Sequence, residues 1–262
     1  MLPEPSAGFK WIQTGGAPAL VCEALEPFAH HLFTTRNWTL GTRINVDPNP
    51  GWEELARAIG VETANLLRAK QVHGSTVLVH RAGSDRRRDQ LAEGDILLTD
   101  DRSMAVAVQT ADCVPVLIAD RRTGTVAAAH AGWRGLAAQV PRVTVEAMQR
   151  EFGSRAGDLV VAIGPAISGP RYEVGPDVRA RFEQAGGASE DLARWFSTAE
   201  RQGHWYFGGS RAARDQLIAA GVAAAQVHDA ALCTSSHPDV FCSYRRDGGA
   251  AGRIAGVIRR RI

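Results

Sequence analysis

The sequence predicts an α+β protein, a single domain over residues 1–262 in which mixed β-sheets are flanked by helices. Three observations support this fold class. Hydrophobic residues make up 45% of the chain, which is typical of a packed globular protein. Segments with strand patterns and segments with helical spacing both occur, but they do not alternate strictly as βαβ units, which favours α+β over a doubly wound sheet. The chain has no internal repeats and no low-complexity linker.

The N-terminal third contains strand, helix and strand signals in that order. Residues 32–37 (LFTTRN) predict a strand that ends in a polar turn. Residues 51–60 carry apolar side chains at helical spacing, with Gly60 as the stop. Residues 66–80 predict two strands interrupted at residues 73–75 (His-Gly-Ser).

The central and C-terminal segments alternate between buried strands and amphipathic helices. Strands are predicted at 96–99, 104–109, 114–120, 124–130 and 160–163. Helices are predicted at 136–152, 178–184 and 210–220; Gly153 ends the first and Gly221 ends the third. The tail, residues 239–262, predicts two strands around a glycine-rich turn.

Charge and composition exclude several classes of protein. The net charge is only +2, and the triplets Arg86–Arg88 and Arg259–Arg261 lack interleaved aromatic residues, so we expect a solvated loop and a frayed C-terminus and no nucleic-acid partner. No apolar run reaches the ~20 residues of a membrane helix, and the N-terminus does not resemble a signal peptide. We therefore expect a cytoplasmic protein without a membrane partner. Four cysteines are too few for a disulfide scaffold, so at least one should be reactive or ligating.

Cys113 and His130 are predicted to meet across a hairpin. The strands 114–120 and 124–130 flank a turn centred near residue 122, and residues equally far from a turn face each other in an antiparallel pair. Cys113 and His130 should therefore lie opposite each other within about one residue. Such a pair is either a metal site or a nucleophile and its base.

Six ordered motifs resemble the YfiH-like family, from about residue 30 to the C-terminus. They are KQVHGSTV (70–77), GDILLTD (94–100), TADCVPVLIAD (110–120), AAAHAGWRG (127–135), IGPAISGPRYEVG (163–175) and CTSSHPDVFCSYRRDG (233–248). The resemblance implies a layered α/β/β/α fold and a zinc ion held by His73, Cys113 and His130. Three protein ligands leave one coordination position open, which is the catalytic rather than the structural arrangement.

The resemblance also implies purine nucleoside chemistry, although proteins of this family carry several names: purine nucleoside phosphorylase, polyphenol oxidoreductase or laccase, and peptidoglycan editing factor. The implied reaction is phosphorolysis of adenosine, inosine, guanosine and methylthioadenosine to free base and ribose 1-phosphate, with adenosine deamination beside it. Zinc can lower the pKa of bound water to about 7, which suits attack at the purine C6. Purine nucleosides and phosphate are then the expected partners, and the oligomeric state stays open.

Candidate substrate and catalytic residues surround the metal ligands in sequence. Guanidinium groups match phosphate oxygens, and the candidates are Arg36, Arg134 and the Arg245–Arg246 pair. Aromatic walls for the base are expected from Tyr172, Phe241 or Tyr244. We expect Asp112 to orient a ligand or act as general base, and Gln71 to donate to substrate, beside Cys113 itself.

Two other enzyme classes stay open. A metal-free hydrolase or amidase, suited to peptidoglycan editing, would use Cys113 as nucleophile and His130 as base, but it has no use for His73. A multicopper laccase is disfavoured because none of the eight histidines forms an H-x-H motif, although copper could occupy a His₂Cys site. Two segments depart from the family pattern: the loop after Arg36 is short, and no acidic residue follows Tyr206 closely.

Overall fold

The fold is described from a computed structural model over residues 1–41, 50–83 and 92–261. Within those ranges the strands are β1 Phe9–Thr14, β2 Ala17–Cys22, β3 Ala29–Thr34, β4 Leu66–Leu67, β5 Val77–His80, β6 Ile96–Thr99, β7 Ala105–Thr110, β8 Val114–Asp120, β9 Val126–Ala131, β10 Leu159–Ile163, β11 Glu173–Val174, β12 Phe196–Thr198, β13 Trp205–Phe207, β14 Val227–Asp229 and β15 Ile254–Arg260. The helices are α1 Pro50–Ile59, α2 Trp133–Ala137, α3 Val140–Phe152, α4 Pro176–Gln184, α5 Ser189–Trp195, α6 Gly209–Ala219 and α7 Tyr244–Asp247.

The strands form two six-stranded mixed sheets and one small three-stranded sheet. The first sheet has the order β1-β2-β3-β15-β7-β4, and the second has the order β14-β10-β8-β9-β6-β5. Most neighbours are antiparallel, but β4 with β7, β5 with β6 and β10 with β14 are parallel. The small sheet, β11-β13-β12, is antiparallel throughout.

The core divides into three layers, as alternation along the strands requires. On β8, Val116 and Ile118 face the helical layer that includes α3 and α6, whereas Leu117 faces the first sheet. The opposite face of the first sheet packs against α1 through residues such as Leu55 and Val257. The order helix, sheet, sheet, helix confirms the layered α/β/β/α architecture.

The central hairpin confirms the predicted strands, but its register differs from the expected one. Val114 pairs with Ala131 and Pro115 pairs with His130, so Cys113 lies opposite Gly132. His130 and Gly132 are two residues apart and share one face of the sheet. Cys113 and His130 are therefore diagonal neighbours on that face, two residues from direct opposition.

The prediction of one continuous helix over 136–152 is wrong. The structure divides it into α2 and α3, and Gln139 between them has a left-handed backbone with φ of 61°. Pro141 lies in the first turn of α3, where its missing N–H is harmless, but the same residue would disrupt a continuous helix.

The predicted pair of strands in the tail is also wrong. Only β15 forms, because the preceding segment turns into α7, where the Ser243 hydroxyl accepts a hydrogen bond from the Arg246 N–H. The expected frayed C-terminus is likewise corrected: Arg259 and Arg260 belong to β15, and their guanidinium groups donate to the carbonyls of Gly60 and Asp100.

Two other expectations concern residues outside the described ranges. The triplet Arg86–Arg88 and residues 42–49 of the loop after Arg36 both lie there. Among the helices that are described, none is both long enough and apolar enough to cross a bilayer.

Candidate metal centre and its cleft

His73, Cys113 and His130 come together in the fold. Their candidate ligand atoms lie within 4.8 Å of one another, and the two imidazole rings are 4.8 Å apart at 80°. His73 comes from the loop before β5, Cys113 from the turn between β7 and β8, and His130 from β9. In the described part of the chain, this is the only group of three or more His, Cys, Asp or Glu side chains that could hold a metal ion.

Gly132 leaves the space that a metal ion needs. A Cβ at this position would lie 3.0 Å from Cys113 Sγ and 3.1 Å from His73 Cδ2. Its φ of −72° is available to any residue, so glycine is required here by space rather than by conformation. Two imidazoles and a thiol around a small opening suit zinc or copper, and the residues present fit such an ion.

Asp95 connects two of the three candidate ligands. Its side chain is fully buried, and Oδ1 accepts from His130 Nδ1 at 2.8 Å and from the His73 backbone N–H at 3.0 Å. Oδ2 accepts from the N–H groups of Val72 and Gly74 at 3.2 and 2.8 Å. With Nδ1 of His130 engaged, Nε2 is the nitrogen left for a metal.

The charges of Cys113, His130 and Asp95 favour a thiolate at Cys113 beside an imidazolium at His130. Burial opposes charge on Cys113, but His130 and the hydrogen bonds from both histidines outweigh it and lower the pKa of the thiol to about 6. Burial also opposes charge on His130, but the Cys113 thiolate and Asp95 raise its pKa to about 9. For Asp95, burial is outweighed by His130 and the loop N–H groups, so its pKa is lowered. A deprotonated thiol is the form that binds metals and attacks electrophiles.

The candidate ligands lie in the wall of a cleft of about 750 Å³. That volume is in the usual range for small-molecule sites. Its aromatic lining is Trp133, Tyr172 and Tyr244, and its cationic lining is Lys70, Arg134, Arg245 and Arg253. Aromatic faces beside guanidinium groups suit a flat base and an anion bound side by side.

Asp112 and Gln71 both line the cleft, but their polar atoms are engaged within the protein. The Asp112 carboxylate accepts from Thr234 Oγ1, from Ser243 Oγ and from the Arg245 N–H, at 2.6 to 3.0 Å. The Gln71 amide both accepts from the Gln109 N–H and donates to its carbonyl. For Asp112 this geometry favours orienting the Cys113 turn over acting as a general base.

The structure places two predicted substrate residues outside this cleft. Phe241 is fully buried between the two large sheets, where its ring stacks on Trp11 at 6.1 Å, so it cannot form a wall for a base. Arg36 lines a neighbouring cleft, and its guanidinium donates to the Pro238 carbonyl. Arg134, Tyr172 and Arg245 do line the main cleft, as expected.

Sequence reasoning missed Asp95 and Arg253. Asp95 is an acidic residue directly before β6, whose residues are all buried, and a carboxylate in that place needs partners. That signal was available in the sequence. Arg253 has no comparable signal, because only the packing of β15 brings it to the cleft.

Curated relatives are named as purine nucleoside enzymes. The chain is 40% identical over 177 residues to a purine nucleoside phosphorylase of Bacteroides thetaiotaomicron, covering 68% of this chain and 64% of that one. It is 39% identical over 215 residues to a purine nucleoside phosphorylase of Deinococcus radiodurans, covering 81% and 78%. It is 32% identical over 212 residues to adenosine deaminase RL5 of an unknown prokaryotic organism, covering 79% of each. These names support an enzyme.

Solved structures and a family model agree on the family. The fold matches the Bacillus licheniformis hypothetical protein YfiH with a TM-score of 0.83 at 27% identity, covering 93% of this chain and 96% of that one. It matches YlmD from Geobacillus stearothermophilus with a TM-score of 0.81 at 28% identity, covering 96% and 99%. The model of the multi-copper polyphenol oxidoreductase laccase family matches residues 43–261. The chain therefore belongs to this YfiH-like family.

Proposed function

We propose that the protein is a zinc-dependent purine nucleoside enzyme. It would cleave adenosine, inosine and guanosine with phosphate to free base and ribose 1-phosphate, and methylthioadenosine to adenine and 5-methylthioribose 1-phosphate. It would also deaminate adenosine. The observation that carries this proposal is a three-ligand His-Cys-His group at a cleft lined by both aromatic and cationic side chains. The names of the relatives point to the same substrates.

His73, Cys113 and His130 would hold the zinc ion. A zinc ion there would supply Lewis acidity and lower the pKa of a water molecule to about 7. Asp95 keeps the ring of His130 in one orientation through the 2.8 Å contact to Nδ1. Asp112 holds the turn that carries Cys113 against residues 234–245.

Arg134 is the best candidate for binding phosphate. Its guanidinium carbon lies 4.1 Å from the centre of the Trp133 ring, and its side chain has no hydrogen bond or ion pair with any described residue. It lies in α2, at the wall of the cleft, and is exposed. Its planar donors are therefore available to an incoming oxyanion.

Tyr172 and Arg245 form a second side of the binding space. The Arg245 guanidinium carbon lies 4.9 Å from the centre of the Tyr172 ring, and Nη1 donates to the Glu173 carbonyl at 2.9 Å. Its backbone N–H is bound to Asp112, so the position of Arg245 is linked to the turn that carries Cys113. Tyr172 and Tyr244 supply aromatic faces on which a purine can stack.

Phosphate dependence of inosine cleavage tests the proposed function. We expect zinc-loaded protein to release hypoxanthine only when phosphate is present. Arg134→Ala should raise the KM for phosphate by about 10- to 100-fold, because charge-assisted hydrogen bonds are lost. Initial rates of hypoxanthine release over a phosphate series measure both quantities.

Arg179→Ala is the matched control. Arg179 also stacks on a tryptophan, Trp205 at 4.8 Å, but it lies on α4 and does not line the cleft. The control should leave the KM for phosphate unchanged. Release of hypoxanthine at the same rate without phosphate would make the enzyme a hydrolase and would contradict the assignment of Arg134.

A hydrolase or amidase is the second candidate function, and one observation favours it. Asp95, His130 and Cys113 form an acid–base–nucleophile series in which the carboxylate contacts Nδ1 and the thiol has a lowered pKa. Such a series is the arrangement of nucleophilic catalysis. His73 has no role in that mechanism, and rapid alkylation of a metal-free Cys113 in freshly purified protein would support it over zinc.

Multicopper oxidase chemistry receives less support. A multicopper cluster needs several ligand groups, and the described residues offer one group of three. A single copper ion at the same three side chains is compatible with the donor set. Metal analysis of the purified protein distinguishes zinc from copper.

A further inference from the structure

We infer that Asp95 is a positioning residue that sets both histidine ligands at once. This inference rests on the metal assignment of the proposed function. Asp95 begins the segment that leads into β6, and its carboxylate is fully buried. A buried carboxylate must be matched by several donors, and every donor found here belongs to a candidate ligand or to its immediate neighbours.

Asp95 holds the loop that carries His73. This residue has a left-handed backbone with φ of 61°, a conformation that only a few per cent of non-glycine residues adopt. Its side chain is exposed, so burial contributes little to holding the loop. The three consecutive N–H groups of residues 72–74 converge on the two oxygens of Asp95. Such a concave set of N–H groups binds an anion, so the carboxylate is what holds the loop in this conformation.

Asp95 also fixes the ring of His130. Its Nδ1 contacts Asp95 Oδ1 at 2.8 Å, and its backbone N–H donates to the Asp95 carbonyl at 2.8 Å. An ionised carboxylate only accepts hydrogen bonds, so Nδ1 must carry the proton and Nε2 is left for the metal. One side chain thus fixes the ring nitrogen that His130 offers and the loop that presents His73.

Replacing Asp95 by asparagine changes the hydrogen bonds of this side chain and leaves its volume almost unchanged. Asn has nearly the same shape, but it offers one oxygen where four donors now meet two. Its NH₂ group would then face either His130 Nδ1 or the loop N–H groups. In the first case His130 is driven to carry its proton on Nε2, which cannot bind a metal, and the His73 N–H loses the oxygen that it shares with His130. In the second case the N–H groups of Val72 and Gly74 lose their acceptor.

The experiment compares wild type, Asp95→Asn and Asp112→Asn as full-length proteins. Asp112→Asn is the matched control for hydrogen exchange only, because Asp112 is also a buried carboxylate with three donors beside the site, and none of these donors belongs to residues 72–74 or to His130. Its zinc affinity is left out of the comparison, since Asp112 holds the turn that carries Cys113. Three quantities are measured: zinc affinity by competition with a chelating dye, amide hydrogen exchange, and the histidine ¹⁵N shifts. None of them depends on nucleoside turnover.

For Asp95→Asn we expect zinc affinity to fall by about 10- to 100-fold, as is usual when the partner of a ligating histidine is lost. Amide exchange should accelerate by at least about tenfold at residues 72–74, because their charged acceptor is gone. Asp112→Asn should instead accelerate exchange of the Arg245 amide and leave residues 72–74 protected. Zinc affinity within twofold of wild type in Asp95→Asn, or unchanged exchange at residues 72–74, would overturn the inference.

A measurement on wild type keeps the test decisive if Asp95→Asn does not fold. The ¹⁵N shifts of wild-type His130 should show a protonated Nδ1 both with and without zinc. An unprotonated Nδ1 would overturn the inference. If these results hold but inosine is not cleaved, the proposed function is wrong and the role of Asp95 is unaffected. If wild type binds no zinc, the metal assignment fails, and the Nδ1 proton and the exchange at residues 72–74 still decide the role of Asp95.

Discussion

Backbone strain lies close to the candidate metal ligands. Five non-glycine residues of the described chain have a positive φ; one is the candidate ligand His73, and another, Asp112, directly precedes the candidate ligand Cys113. A buried carboxylate holds each of these two residues: Asp95 accepts hydrogen bonds from the loop of His73, and Asp112 accepts them from residues 234–245. Strained residues persist only where the surrounding structure fixes them, so their placement supports a functional site.

Substitution of the single residue Gly132 gives a prediction about zinc binding. Gly132→Ala should lower zinc affinity by roughly tenfold or more, because the new Cβ would lie 3.0 Å from Cys113 Sγ and push the ligands apart. The free energy of unfolding of the metal-free protein should fall by at most about 1 to 3 kcal/mol, from the tight contact alone, since φ at this position suits alanine. Dye competition and urea unfolding measure the two quantities.

Gly157→Ala is the matched control for this substitution. A Cβ at Gly157 would meet no atom within 4 Å, and the residue is remote from the three ligands in sequence. Zinc affinity should be that of wild type. If Gly132→Ala binds zinc as tightly as Gly157→Ala does, the space beside Cys113 is not needed for the metal.

The elements that were predicted well are those in which pattern and packing agree. The strand predictions 96–99 and 114–120 match β6 and β8 residue for residue, because each is a short apolar run buried on both faces. Hairpin geometry predicts that Cys113 and His130 meet. Their register differs from the expected one because the turn is centred half a residue beyond the expected centre at residue 122.

The elements that were missed depend on contacts between distant segments. The tail folds into α7 because Ser243 caps it and Asp112 binds the Arg245 N–H, and the second contact is 133 residues apart in sequence. Phe241 has the residue type of a binding-site wall, but strand packing places it in the core. Neither outcome is encoded in local periodicity, so a single sequence could not supply it.

His31 links β2 to β3 and gives a prediction about pH. Its Nε2 accepts from the Cys22 N–H at 2.8 Å, and Nδ1 contacts the Ala29 carbonyl. Burial lowers the pKa of His31 to about 4 from its ordinary value of 6.5. As pH falls from about 6.5 towards 4, the unfolded chain therefore binds a proton that the folded chain does not, and the free energy of unfolding falls.

His31→Gln removes this titration, since glutamine can still accept from the Cys22 N–H but carries no charge. Between pH 7.5 and 4.5, the wild-type free energy of unfolding should fall by about 2 to 3 kcal/mol more than that of the variant. Urea unfolding at both pH values measures the difference. Parallel pH dependences in the two proteins would show that His31 is not buried in neutral form.

We expect the whole molecule to fold without a metal ion, because its apolar core is large. The two large sheets bury one cluster between them, and each also packs against helices on its outer face. The candidate ligands lie at one edge of this core, beside the cleft, and none of the three clusters is organised around them. The group offers three candidate ligands within the described chain, and an ion held by these three alone would have a position open for chemistry.

The central claim is that the metal serves catalysis and not folding, and chelation tests it most directly. The measurement follows circular dichroism, thermal melting and phosphate-dependent inosine cleavage before chelation, after it and after zinc is restored. We expect activity to disappear and return with zinc, while the circular dichroism spectrum of the chelated protein remains that of a folded chain. Cys113→Ala should behave like the chelated protein and should not respond to zinc. Global unfolding on chelation would mean that the metal is structural, and full activity without metal would contradict the zinc mechanism altogether.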